Sequence, residues 1–276
     1  MNRRALFLAP VVLVLALAGC SGDDSPEPSP TPRTTSTTTS APPTATAAPR
    51  PGNRACYALD FKEAVAPTNS AKPVDCAREH TAMTYDVGTF DAVVDGHLLA
   101  VDSRHVQEQV ASACPRELSR FLGGTPDALH LSTLRSVWFT PTVDESDAGA
   151  DWYRCDVIAL ATDGELAPLA GRLAGVLAEP EGRDRYGMCG TAEPGTPDFS
   201  RVVCSRDHSW RAIRTVELED GPYPGEAAAR DAGQQPCEDA GREAASDSLN
   251  FQWGYEWPTE KQWNAGQTYG LCWIPD

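Results

Sequence analysis

Positive charge is scarce in this chain. Its 276 residues carry 23 Lys and Arg against 39 Asp and Glu, a formal net charge of −16. Such a surface repels phosphate backbones, which argues against nucleic acid as a partner. It also opposes adhesion to anionic lipid by charge. The apolar run from Ala5 to Ala18 falls short of the ~20 residues that a transmembrane helix needs. Two catalytic signatures are missing: there is no G-x-S-x-G elbow and no H-E-x-x-H helix. The cysteines lack the close pairs of a structural zinc site, so no metal and no cofactor is expected.

What is there begins with an address. Arg3 and Arg4 precede the short apolar run, the layout of a secretory signal peptide over residues 1–19. Leu17-Ala18-Gly19-Cys20 resembles a bacterial lipobox. The resemblance implies cleavage before Cys20, lipid on its thiol and a palmitate-type acyl chain on the new N-terminus. Removal of Arg3 and Arg4 takes the formal charge to −18, that is, −16 less two. Residues 20–52, rich in Pro, Ser and Thr, have almost no large apolar side chains to offset ordering entropy. They read as a semi-stiff tether, holding the folded part outside the membrane on a lipid anchor. The expected location is the outer face of the cell membrane.

Eight cysteines remain after Cys20, and an even number in an exported chain reads as a disulfide framework. They fall into two fours. Cys56, Cys76, Cys114 and Cys155 are separated by 19, 37 and 40 residues. Cys189, Cys204, Cys237 and Cys272 are separated by 14, 32 and 34, the same pattern with shorter loops. Other landmarks stay in step. His80 follows Cys76 by four, as His208 follows Cys204; VDCAREHT at Val74 matches VVCSRDHS at Val202. Pro141-Thr142 and Pro258-Thr259 precede the fourth cysteines by the same offset, and Gly149 and Gly266 follow those prolines by eight. Such agreement marks an internal repeat, over 53–178 and 183–276. Four cysteines allow three pairings. First with second and third with fourth is favoured: Cys56–Cys76, Cys114–Cys155, Cys189–Cys204 and Cys237–Cys272.

The paired cysteines, the C-x-x-x-H strand, and Pro-Thr followed by Trp263-Asn264-Ala265-Gly266 resemble the actinobacterial septum-formation domain family. Gly171-Arg172-Leu173-Ala174-Gly175 resembles a further segment of that family. The resemblance covers each repeat once, and Ser146 departs from it where repeat two has Trp263. It implies an envelope or division role and supplies no catalytic residues.

Each repeat reads as ββ-helix-ββ, an α+β fold with antiparallel strands stapled by disulfides. Thr81, Met83, Tyr85 and Val87 alternate with Ala82, Thr84 and Asp86, the pattern of a half-buried strand. Ser103 caps a helix whose apolar face is Val106, Val110, Ala113 and Cys114. Pro115 predicts a break or a fresh helical turn there, before Leu118, Phe121 and Leu122 continue the stripe, and residues 165–178 are expected to form a short helix. Repeat two has an Ala- and Gly-rich helix over 225–245 with little bulk.

His80 and His208 are the sharpest candidates for chemistry. As bases in a cell-wall hydrolase they would need an orienting acid, but Glu79 and Asp207 are their strand neighbours and point to the opposite face. Zinc would need Cys76 and Cys204 as free thiolates. The reading preferred is structural, a ring bonded to backbone at a strand bend, with pH sensing as a milder option. Trp253, Tyr255, Trp257 and Trp263 could stack on glycans or grip a protein; cross-strand aromatic packing in a half whose helix lacks bulk is preferred. The function expected is a non-catalytic envelope module that binds a division protein or cell-wall glycan.

Overall fold

Two antiparallel sheets dominate residues 47–276, the part of the chain described by the structure, a computed structural model. The expected signal peptide, the expected lipidation site Cys20 and most of the linker segment lie outside the described residues. Both sheets belong to one compact unit. Among the described residues no helix is long and apolar enough to cross a membrane.

Repeat one contains β1 (Cys56–Tyr57), α1 (Phe61–Ala64), β2 (Ala82–Thr89), a hairpin of β3 (Val93–Val94) and β4 (His97–Leu98), and α2 (Arg104–Leu122). It continues through α3 (Pro126–His130), β5 (Leu134–Phe139), α4 (Val143–Asp147), β6 (Trp152–Thr162) and β7 (Glu165–Ala167). A 3₁₀ turn (Val176–Ala178) and α5 (Pro180–Tyr186) lead to repeat two. There follow β8 (Met188–Gly190), β9 (Arg201–Val203), β10 (Trp210–Glu217), α6 (Glu226–Ala232) and α7 (Gln234–Ala244). The chain closes with β11 (Gly254–Glu256), α8 (Glu260–Asn264) and β12 (Tyr269–Pro275).

The first sheet runs β1-β2-β6-β5, with β7 also on β6. The second runs β9-β8-β10-β12-β11, the same order with one strand added at its edge. That extra pairing exists in miniature in repeat one, where Val74 bridges Cys56 as Val202 pairs with Cys189. Each long strand pair also carries a bulge at the same place. The register shifts between Thr84 and Asp86 in β2 and between Ala212 and Arg214 in β10, each time just before the fourth cysteine's partner. A bulge is a designed kink rather than noise, so its recurrence at matched positions ties the two sheets closely.

The Pro-Thr landmarks are helix starts. Thr142 and Thr259 cap α4 and α8, each in a reciprocal capping box, with Glu145 and Gln262. Gly149 and Gly266, at φ of 99° and 94°, turn the chain back after each helix in a conformation that only glycine adopts freely.

Four local expectations need correction. Helix α2 runs unbroken through Pro115. The bond that proline removes is to the exposed Ala111 carbonyl, which water can satisfy. Docking of Val106, Val110, Cys114, Leu118 and Leu122 then outweighs the local preference. The segment 165–178 begins as strand β7 and ends in a 3₁₀ turn, because its start pairs with β6 rather than closing a helix of its own. The repeat-two helix is two helices, separated at Gly233. Strand β2 is covered on both sides: Tyr85 packs with α2, while Ala82 packs with Tyr57, Leu59 and Ala64.

The sheets stay separate. One isolated bridge, Ser132 to Gly187, joins the repeats, flanked by Thr133 N donating to Tyr186 O (2.7 Å) and Met188 N to Leu131 O (2.8 Å). Tyr186 and Val203 are buried in the repeat-one core, and Leu131 packs against Met188 and Trp210 of repeat two.

Candidate functional site

The cysteines are oxidised in the order of the chain: Cys56–Cys76, Cys114–Cys155, Cys189–Cys204 and Cys237–Cys272. The second and fourth bridges pin α2 to β6 and α7 to β12, fastening the main helix of each half to its sheet. Cys76 and Cys204 are therefore not thiolates. Cys189, His208 and Asp276 converge, but the Cys189 sulfur lies in a disulfide and offers no metal a thiolate.

The two histidines do the same thing. Arg78 N donates to Asp75 O, closing a turn, and His80 Nδ1 lies 2.9 Å from Arg78 O. In repeat two Arg206 N donates to Val203 O, and His208 Nδ1 lies 2.6 Å from Arg206 O. His80 is buried; His208 is half-buried, and its Nε2 lies 3.1 Å from Asp276 Oδ2. Sequence reasoning missed that acid, because Asp276 arrives from β12, the neighbouring strand. Burial pushes the Asp276 carboxyl up, but Arg211 and His208 together outweigh it and hold it below the usual carboxylate value. Arg206 reaches across the repeats to Glu165 in a two-pronged pair, whereas Arg78 is exposed.

The repeat-two aromatics are mostly interior. Tyr255 and Trp263 are buried, and Trp253 and Trp257 are half-buried against Tyr255 and Cys237. Trp263 Nε1 donates to Gly221 O, and Tyr255 OH to Ala229 O. They form the packing of a half whose helices carry little apolar bulk, rather than an open platform. A Cβ on Gly233 would sit 2.0 Å from the Tyr255 ring, and one on Gly241 2.7 Å from Trp253 Cβ. The glycines that weaken α6 and α7 make room for these rings.

A cleft of about 550 Å³ lies where the repeats meet. Repeat one supplies α2, α3, β5 and the end of β6; repeat two supplies β8, β9, α8 and β12. Its walls are largely apolar, through Leu118, Leu134, Trp138 and Met188. His130 and Tyr269 stack flat across the junction, ring centres 3.9 Å apart at 8°. Two guanidinium groups line it. Arg201 is matched by Glu256, with Nε 3.1 Å from both carboxylate oxygens, and it also faces Gln267. Arg135 Nη1 donates to the carbonyls of Ser132 (2.8 Å) and Leu134 (2.7 Å) and has no carboxylate partner among the described residues. Burial pushes the Arg135 guanidinium below its ordinary value, with Tyr269 opposing and Arg201 adding to the shift.

The septum formation family model matches residues 26–144 and again 139–272. The chain belongs to the septum formation family. The second match starts inside repeat one, at the end of β5, and takes in β6 as well as repeat two. No curated protein and no solved structure matches the chain. The family brings a link to septum formation without assigning catalytic residues, so the inter-repeat cleft is the feature of this family member that most resembles a site. Of the duplicated landmarks only the α8 element reaches it, through Gln262, Ala265 and Gly266; its charged residues, Arg135 and Arg201, carry no sequence signature.

Proposed function

We propose that the chain is a non-catalytic, lipid-anchored envelope protein whose two duplicated repeats act together as one binding module in septum formation or envelope growth. The observation that carries this reading is the shared cleft: both repeats wall it, in one unit, and neither would hold a ligand there alone. The histidines are spent on structure. His80 holds its own turn, and both nitrogens of His208 face acceptors, the Arg206 carbonyl and Asp276. Cys20 would anchor the chain and the linker would give it reach.

The test is replacement in the native host. Loss of the chain is expected to disturb septation, and the unaltered gene to restore it. Cys20→Ala is expected to leave the membrane fraction. A combined His80→Ala and His208→Ala variant that still folds is expected to restore septation. Failure of that folded variant, with turnover of wall fragments by the unaltered protein, would establish a hydrolase instead.

A further inference from the structure

We infer that the inter-repeat cleft binds a small amphiphilic anion, a carboxylate or phosphate head on an apolar body of ring size, with Arg135 as its charge partner. This rests on the binding-module reading above and names the ligand class.

Charge bookkeeping in the cleft leads there. Arg201 is already neutralised by Glu256. Asp163 lines the cleft but makes no ion pair with Arg135, and Glu217 lies 3.5 Å from His130 Nδ1. Arg135 is left as the cation without a counter-charge, using one of its three nitrogens on backbone carbonyls. Arg135 is half-buried in the cleft wall, and a planar fork with two nitrogens to spare suits a bidentate oxyanion.

The remaining walls describe the rest of the ligand. Leu118, Leu134, Trp138 and Met188 offer apolar contact, and the flat His130–Tyr269 stack favours a ring laid against it. A volume of about 550 Å³ lies inside the range of small-molecule sites. The chain's net charge of −16 supplies no long-range attraction for anions. Selection must come from contact inside the cleft, which favours a ligand that fills the apolar part as well as meeting Arg135.

The test is calorimetric titration of the full mature chain with 2-naphthoate, 2-naphthyl phosphate and neutral 2-naphthol. At least one anion is expected to bind about tenfold or more tighter than naphthol, and the tighter of the two identifies the head group. Arg135→Gln is expected to abolish that preference while leaving naphthol binding in place. The unaltered protein alone already decides the matter if the variant misfolds: naphthol binding as tightly as both anions, or no binding of either anion at millimolar concentration, overturns the inference. So does a preference that survives in folded Arg135→Gln. Septation in the host is scored on other residues, so failure of the titration removes this ligand class alone, and failure of the host test leaves the titration standing.

Discussion

The two repeats build the same sheet and fill its far side in opposite ways. In repeat one, the face of β6 turned from α2 carries Arg154 and Asp156, side chains 4% and 0% exposed and 2.9 Å apart. Arg154 lies between the rings of Tyr57 and Phe139, at 4.1 and 4.4 Å, and Thr84 donates to Asp156 at 2.8 Å. Burial pushes the Asp156 carboxyl up and Arg154 pulls it down, with burial the larger effect. In repeat two the matching positions are Leu271 and Trp273, with Ala212 for Thr84 and Gly190 for Tyr57. Trp273 is fully buried and meets Phe199 edge-on at 5.2 Å, in space that Gly190 leaves open. One backbone thus accepts either a charged or an apolar layer, provided the whole set of neighbours changes together.

The sharpest way to break that comparison is to change one member alone. Arg154→Leu strands a buried carboxylate and is expected to cost about 3–5 kcal/mol in urea unfolding. Adding Asp156→Val and Thr84→Ala, which makes the layer resemble repeat two, is expected to recover most of the loss. No recovery would show that the charged pair is required for more than filling the layer.

The disulfides that pin the helices come next. Replacing Cys114 and Cys155 by Ser, or Cys237 and Cys272, is expected to cost about 2–4 kcal/mol each. The separations of 41 and 35 residues differ too little to matter, about 0.1 kcal/mol in loop entropy. A larger gap between the two double variants would report how much each helix depends on its staple. Gly233→Ala is smaller still. Its φ of −94° is unstrained, so the expected loss of about 1–3 kcal/mol comes from displacing Tyr255, visible as altered near-ultraviolet dichroism.

The smallest effect is acid-dependent. Asp276 is held below its unfolded value, so its contribution is complete above that value and is lost as pH falls through the folded one. The pair is partly exposed, so Asp276→Asn is expected to lose about 1 kcal/mol or less at neutral pH, and progressively less as pH falls through the folded value. A constant difference across a pH titration of melting would contradict this.

Much of the frame was legible in the sequence, for a physical reason. Closing a loop of 34 or 40 residues costs nearly the same, so cysteine order survives changes in loop length. The Pro-Thr and Gly landmarks encode caps and turns, which local chemistry fixes. The helix through Pro115 was not legible, because docking overrode a local rule. The cleft was hidden more thoroughly. Arg135 aligns with Gln252 and Arg201 with Pro73, so a search for what the repeats share passes over the positions where they differ. Arg135, Arg201 and Tyr269 meet only after the halves have packed.

The central claim is that the two repeats form one body. Differential scanning calorimetry of the mature, oxidised chain tests it most directly. One transition, with calorimetric and van't Hoff enthalpies equal, is the predicted result. Two separable transitions, one removed by Trp273→Ala and the other by Arg154→Leu, would contradict it.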